Sequence, residues 1–555
     1  MKKKWELPAE VRRPKEEIDA FLARVLEHMG PEDQAIARAH VDTVRHLLDV
    51  LSEKNLSLKR LRGMLFGSRT EKTSEVIGTE TAEKEEPTGG GGKPKRKGHG
   101  RHGVTEYQGA PEVPVPHATL RPGDPCPCCP NGKVYDTGRP GIEPRIKGRP
   151  LLEVTVYRPG RLRCNLCGEV FTADLPKEAG TKKYDETAVS AIALLKYGTG
   201  LPFHRLETLQ ESLGVPLAAA TQWEIVEEAA RACAPAHEEL QRQAARGDVL
   251  HNDDTKMKIL GRRKKDDPGG GAAEKHKRKG VVTTGIISKV EGQTVALYTT
   301  GHRNAGENLG ALLEKRPKDL ARPIQMADGL EANIPKGFET ILSNCAAHGR
   351  RKFVELNSFF PEECREVLET FRTVYHNDDL ARDMSPQERL RFHQEHSGPL
   401  IERLKEWLEA QFREKKVEPN SRLGKAIAYL LDRWERLTRF LDVAGAPLDN
   451  NVVERMLKLV ILHRKNALYF RTQRGAEVAD LFMSLIQTTR LSGENPFDYL
   501  TALQRNAAAV REKPGEWMPW NYRTTLARLK ASRGGENGAT ENLQTSSKVP
   551  LRSTG

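Results

Sequence analysis

The sequence predicts a multidomain α+β protein, in which one mixed sheet with helices packed against it sits between long helical segments. Three observations predict it. Short apolar runs with strand periodicity, separated by turn residues, crowd into 247–344; apolar residues at helical spacing fill 183–246 and 350–445; and a Cys-rich patch stands apart at 126–167. A chain of 555 residues is too long for one core.

Residues 33–66 read as a helix in which Val44, Leu51, Leu58 and Leu65 recur every seven positions, with Leu47 and Leu61 between them. That pattern predicts a short coiled coil, although Lys54 interrupts its second seam and a single amphipathic helix fits the same residues. Gly67 is a natural helix end, which bounds an N-terminal helical region at 1–67. Residues 68–110 form a linker, acidic first, then Gly89–Gly92, then the basic run Lys93 to Arg101. It buries no core, and its basic half suits either a phosphate backbone or a plain solvated spacer.

Residues 111–175 carry Cys126-Pro-Cys128-Cys129 and Cys164-Asn-Leu-Cys167. Two CxxC turns let the thiolates of Cys126, Cys129, Cys164 and Cys167 converge on a structural Zn²⁺ in a small zinc-ribbon-like domain, leaving Cys128 over. The interval 130–163 exceeds the usual spacing of about 15–20 residues, so a hairpin with Leu151–Tyr157 as one strand is expected to fill it. The basic stretch Arg158 to Arg163 suits DNA contact.

Residues 176–246 are expected to be helical, with breaks at Gly198–Pro202 and Gly214–Pro216, and Leu217–Val226 as the opening of a possible helix-turn-helix unit. From 247 a strand ends in Asp253-Asp254. A hairpin turning at Gly292, a helix at 304–314, and strands at Pro323–Ala327 and Ile341–Asn344 follow, giving the order β-β-β-α-β-α-β. Residues 350–445 return to helix, with Leu400, Leu404, Trp407, Leu408 and Phe412 on one face and Ile427, Leu430, Trp434, Leu437 and Leu441 on another. A strong helix begins near Asn451, and residues 512–555 read as a tail, disordered from about Ser532.

Lys and Arg together number 89 against 76 Asp and Glu, a formal charge of +13 that favours a polyanionic partner. Met1-Lys-Lys-Lys-Trp-Glu has no apolar run behind it, and no stretch reaches the roughly 20 apolar residues of a membrane span. A cytoplasmic, nucleoid-associated protein is expected.

Asp253, Asp328 and Glu454 are carboxylates at the ends of three separate elements, an arrangement that suits hard divalent ions and phosphoryl transfer. Each also has a local explanation: a strand end, an Asp-Gly turn, and a capping box at Asn451-x-x-Glu454.

The blocks around these acids are more specific. His251 to Thr255, Met326-Ala-Asp-Gly329, Asn344-Cys-Ala-Ala-His-Gly-Arg-Arg-Lys-Phe353, Leu448-Asp-Asn-Asn-Val-Val-Glu-Arg455, His463-Arg-Lys-Asn466 and Ser484 to Thr489 occur in one order. With Lys196 to Arg205 and the paired CxxC segment, they make roughly 40 to 505 resemble the insertion sequence 66 family of bacterial transposases. The resemblance implies a ribonuclease-H-like catalytic core with an Asp-Asp-Glu triad at Asp253, Asp328 and Glu454. The core would occupy 247–353 and 446–511, split by an all-helical insertion at 354–445. Two departures stand out: Asp254 follows the first acid where the family usually has Glu, and Leu330 stands where it often has Tyr.

The same resemblance implies two Mg²⁺ or Mn²⁺ ions, and double-stranded DNA as partner at the element's inverted repeats and at the target. It further implies cleavage of the ends, attack of the 3′ hydroxyls on target DNA, a homodimer or larger assembly, and accessory proteins from the same element. His348, Arg350, Arg351, Lys352, Arg455, Arg464 and Lys465, with Lys458, are candidates for phosphate contact, while His348 reads equally as a proton shuttle or a structural histidine. A catalytically inactive regulator and a cellular nuclease of the same fold are the alternatives.

Overall fold

The computed structural model describes residues 119–128, 131–135, 151–163, 170–260 and 280–531, with Arg24, Gly30, Asp33, Gln34, Thr73 and Val76. The chain divides into two compact units, Met1–Thr79 and Glu80–Gly555. In the first, Asp33, Gln34, Thr73 and Val76 are helical, so helical backbone recurs beyond Gly67, where the sequence suggests a linker. The heptad positions from Val44 to Leu65 and the basic run 93–101 lie outside the described residues.

The second unit begins with a small antiparallel pair, β1 (Arg161–Arg163) and β2 (Val170–Thr172). Leu151–Tyr157 is not a strand, contrary to expectation. Val154 and Val156 stand 65% and 74% exposed, so nothing rewards their alternation with a buried face.

Three helices follow: α1 (Glu186–Ala193), α2 (Phe203–Ser212) and α3 (Ala219–Ala245). Asp185 caps α1 by accepting from the backbone N–H of Ala188 at 2.9 Å. Val226, Ala230, Cys233, Ala236 and Leu240 on α3 are buried in the same core as the main sheet. Five strands build that sheet: β3 (Val249–Met257), β4 (Val281–Val290), β5 (Gln293–Gly301), β6 (Ile324–Ala327) and β7 (Ile341–Asn344). Their order is β5-β4-β3-β6-β7, antiparallel across β5, β4 and β3 and parallel across β3, β6 and β7. The β4–β5 hairpin turns on Glu291 and Gly292, with φ of 48° and 77°, as a two-residue turn matched to strand twist requires. Helix α4 (Ala305–Leu313) is closed by an Asn304–Glu307 capping box. The helix expected between β6 and β7 is only a single turn at Glu331–Asn333, bounded by Gly329 and Gly337, both at positive φ, and by Pro335.

After β7 come α5 (Ala346–Leu356), α6 (Pro361–Leu380), α7 (Pro386–His396), α8 (Gly398–Arg413), α9 (Arg422–Leu431) and α10 (Trp434–Leu437). The expected boundary at 353 falls inside α5. The face on α8 is centred on Ile401, Leu404 and Leu408, with Trp407 half-buried. Ile427 to Leu441 is not one helical face, since the chain breaks at Asp432–Arg433 and again after Leu437. Helices α11 (Asn451–Ala467), α12 (Gln473–Leu491), α13 (Pro496–Arg505) and α14 (Ala507–Glu512) complete the fold. Residue 512 does not open a tail: Trp517, Met518 and Tyr522 are each 1% exposed and belong to the core, since large apolar rings gain most from leaving water. Residues from 532 onward lie outside the described set. No helix among the described residues is long and apolar enough to cross a membrane.

Alternate residues of a strand face opposite sides of a sheet. Asp253 pairs with Gly285 on the side covered by α11, while Asp254 pairs with Thr284 on the side of α3 and α4. A side chain at Gly285 would meet Leu457 at 3.0 Å and Val453 at 3.2 Å, so glycine there sets how closely α11 approaches β4. Gly285→Val should cost about 1–3 kcal/mol by overpacking, read as a lower midpoint in urea unfolding.

The outer strand β5 is closed by side chains. Thr300 donates its backbone N–H to Asp480 at 2.6 Å, Tyr298 to Ser484 at 2.9 Å, and Ala296 to Thr488 at 3.1 Å. The three acceptors stand four residues apart on α12, one per turn, and match the two-residue repeat of the strand.

Candidate active site

Strands β3 and β6 run parallel with His251 opposite Met326, so Asp253 and Asp328 stand two residues further along each, side by side beyond the last paired position. Helix α11 crosses β3 and β4 and carries Glu454 in its first turn. Asp253 feels the charges of the other two. Burial pushes the Asp253 carboxyl up to about 7, and the neighbouring charges of Asp328, Glu454 and Asp254 add to it, against a hydrogen bond from the Asp254 amide that favours ionisation.

Each carboxylate is held differently. Asp253 Oδ1 accepts from the backbone N–H of Asp254 at 2.8 Å. Asp328 Oδ1 accepts from Asn333 Nδ2 at 2.6 Å and from the Leu330 amide at 3.1 Å. Behind it, the Asn333 carbonyl accepts from Asn252 Nδ2 at 2.8 Å and Gln325 Nε2 at 2.7 Å, which ties the Asp328 loop to β3 and β6. Glu454 Oε1 is buried without a hydrogen bond, with His348 Nδ1 at 3.7 Å, and Glu454 Oε2 lies 3.8 Å from the Arg351 guanidinium. The capping box at Asn451-x-x-Glu454 does not form. Asn450 is the cap residue and its side chain makes no cap bond; Asp449 Oδ1 instead accepts from the Asn451 amide at 3.0 Å, and Glu454 is left facing α5.

Asp254 is committed elsewhere. Its Oδ1 accepts from Thr284 Oγ1 at 2.5 Å and its Oδ2 from the Ala305 amide at 2.7 Å, at the start of α4. Burial raises this carboxyl too, while those two bonds pull it back down.

Asn450 links the elements that bear these groups and had no role in the sequence reading. It is fully buried; its Oδ1 lies 3.1 Å from His251 Nδ1, its Nδ2 donates to the Asn252 carbonyl at 3.1 Å, and its backbone N–H donates to Cys345 Sγ at 3.2 Å. Removing that side chain would strand two buried partners on β3, the His251 ring and the Asn252 carbonyl. Its signal was the run Asp449-Asn450-Asn451 just before a helix.

The basic candidates separate. Arg350, Arg351 and Lys352 lie on α5 beside His348. The Lys352 ammonium sits 4.3 Å from the centroid of the Tyr429 ring. Arg455, Lys458 and Lys465 are exposed along α11. Arg464 is turned inward, its guanidinium donating to the Lys256 carbonyl with Thr255 Oγ1 at 3.4 Å, so it closes the end of β3.

Among the described residues, one group of three donor atoms lies close enough together to hold a metal ion. Cys345, His348 and Glu454 present one donor atom each within 4.8 Å of one another. Burial pushes the Cys345 thiol up to about 12, however, and its sulfur already accepts the Asn450 amide, so it is a poor source of thiolate. Asp253, Asp328 and Glu454 offer the oxygen chemistry a hard cation prefers, with ionisation of Asp253 opposed and one buried Glu454 oxygen lacking a donor, but their donor atoms are not gathered as closely as that group. Of the zinc candidates, Cys126 lies in a tight turn in which its Sγ accepts from the Cys128 amide at 3.4 Å and its own amide donates to Gly132. Cys129, Cys164 and Cys167 lie outside the described residues.

A family model described as "Transposase IS66 family" matches residues 182–478, which take in all three acids, the sheet and the helices α5 to α11. An uncharacterized protein of Sinorhizobium fredii (strain NBRC 101917 / NGR234), y4hP, is 24% identical over 439 residues, covering 74% of this chain and 75% of its own. A second from the same organism, y4jD, is 32% identical over 188 residues, 33% of this chain and 36% of its own. The chain belongs to the IS66 family of transposases.

Proposed function

We propose that the protein binds the ends of an insertion sequence, cleaves them, and joins the freed 3′ hydroxyls to target DNA at a ribonuclease-H-like centre formed by Asp253, Asp328 and Glu454. The observation that carries the reading is the gathering of three acids from β3, β6 and α11 at one desolvated place, where burial and mutual repulsion oppose the charge on Asp253. Neighbouring acids whose charges oppose the ionisation of Asp253 are a cost to the fold that divalent cations would relieve.

Asp253, Asp328 and Glu454 would hold Mg²⁺ or Mn²⁺, which supplies charge neutralisation for the attacking and leaving oxygens of the phosphodiester. The chain's own part is positioning. The Asn333–Asn252–Gln325 network fixes Asp328, the Asn450 cap fixes the start of α11 against β3, and Arg351 and His348 border Glu454 where phosphate charge would gather. The exposed basic residues Arg455, Lys458 and Lys465, with Arg350, extend that border along α11 and α5 as further DNA contacts. Cys126, Cys129, Cys164 and Cys167 would hold structural Zn²⁺. Pairing of two ends implies at least a dimer through the heptad segment, with accessory proteins of the same element as further partners.

The test is cleavage of linear DNA carrying the inverted repeats that flank the gene, with Mg²⁺ or Mn²⁺. Cutting should need the metal, stop with EDTA, and be lost in Asp328→Asn and Glu454→Gln while DNA binding persists. Metal-independent cutting, or full activity in either variant, would overturn the reading.

A further inference from the structure

Across from the acids, the helical insertion reaches back to the Asp328 turn. The Tyr429 hydroxyl, on α9, donates to the Asp328 carbonyl at 3.2 Å. Burial pushes this phenol up, which keeps it a donor. Its ring carries two cations: Lys352 Nζ of α5 lies 4.3 Å from the ring centroid, and so does the Arg433 guanidinium carbon, just past the end of α9. The two charges are therefore held within twice that distance of each other.

Arg433 also lies against the turn itself. Gly329 has φ of +85°, and a methyl group there would sit 3.0 Å from Arg433 Nε. Among the described residues, neither Lys352 nor Arg433 has a carboxylate within ion-pair distance. Both side chains remain partly exposed. Elsewhere on this protein arginines beside acids pair with them, as Arg389 does with Asp378 and Arg523 with Glu494. Two like charges gathered on one ring, unpaired and open to solvent at the rim of an acidic site, lack an anion.

We infer that Lys352, Tyr429 and Arg433 form a clamp for the DNA backbone, in which the two cations hold a phosphate of the strand entering the acidic site and the ring keeps both side chains extended toward it. The inference rests on the transposase reading for its choice of anion. A phosphate accepts two parallel donors of a guanidinium on two of its oxygens and the ammonium as a point charge, so the pair suits one bridging contact. The insertion thereby becomes part of the DNA-binding surface, joined to the second acid through Tyr429.

The experiment measures affinity for a duplex of about 40 base pairs over a range of salt, in the full chain without divalent metal, alongside the cleavage assay. Each lost phosphate contact should lower the slope of log affinity against log salt by about 0.9. Lys352→Gln and Arg433→Gln should each lower the slope by part of that amount, and the double variant by about the whole of it. Tyr429→Leu should approach the double variant, and Tyr429→Phe, which keeps the ring, should keep the wild-type slope. Lys405→Gln, an exposed lysine on α8 that pairs with Glu409, is the control and should change nothing. Unfolding midpoints verify that each variant is folded. Wild-type slopes in folded Lys352→Gln and Arg433→Gln would overturn the clamp while leaving the cleavage reading intact. Reduced slopes in a protein that cuts no DNA would sustain the clamp and remove the cleavage reading instead.

Discussion

Asp253→Asn should lower end cleavage by about a thousandfold or more, roughly 4 kcal/mol at 1.36 kcal/mol per decade, while Asp254→Asn should stay within about tenfold of wild type. The two residues are adjacent and chemically identical, and the sheet separates them. Asp253 faces α11 and senses Asp328 and Glu454, so its amide removes a charge from the place where a cation would be held. Asp254 faces α4 and spends both oxygens on Thr284 and the Ala305 amide. Its amide loses one of those two acceptors and the negative charge at the start of α4, a stability cost of about 1–2 kcal/mol. Single-turnover cleavage and thermal unfolding on the same two proteins separate the outcomes. An inactive Asp254→Asn that unfolds like wild type would reverse the assignment.

Asp480→Asn should remove a pH dependence of stability between about pH 4 and pH 7. Asp480 is buried on α12, and burial pushes its carboxyl up to about 7 despite the hydrogen bonds from the Thr300 amide and hydroxyl. Folding therefore raises its affinity for a proton above the unfolded value of about 3.9. The stabilising contribution is fully present below that value and is lost as pH rises through about 7. At 1.36 kcal/mol per unit the loss has an upper bound of about 4 kcal/mol. An asparagine accepts the Thr300 amide with its oxygen and donates to the Thr300 hydroxyl, which then donates to Thr283 Oγ1, 2.8 Å away. The variant should match wild type at pH 4 and exceed it at pH 8 in urea titrations. Parallel stability curves for the two proteins would show that the buried carboxyl does not titrate in this range.

How much of this was legible in the sequence follows from the range of the forces involved. The β4–β5 hairpin and α4 were readable because local signals set them, the turn at Gly292 and the Asn304–Glu307 box. Gathering of Asp253, Asp328 and Glu454 was legible only through the matched blocks, since each acid alone looked like a strand end, a turn or a cap. Which face Asp253 takes was hidden, because a shift of one residue exchanges it with Asp254 and only the pairing with Gly285 fixes the register. Leu151–Tyr157 misled because its alternation had no burial behind it, and Trp517 and Tyr522 because their burial depends on helices far back in the chain. Tyr429 and Arg433 gave no local signal at all. Their place beside Asp328 is set by how α9 packs on α5, across 101 residues of sequence.

The polar row on α12 also dates the moment at which the outer strand becomes safe. Ala296, Tyr298 and Thr300 receive their acceptors from residues 192, 186 and 180 positions later. At translation rates of about 5–20 residues per second, β5 leaves the ribosome roughly 10–40 seconds before the helix that covers it. During that interval its amides form an open edge able to template pairing with another nascent chain. Slower translation would prolong this exposure, so yield of soluble protein should depend on how quickly the ribosome reaches Thr488.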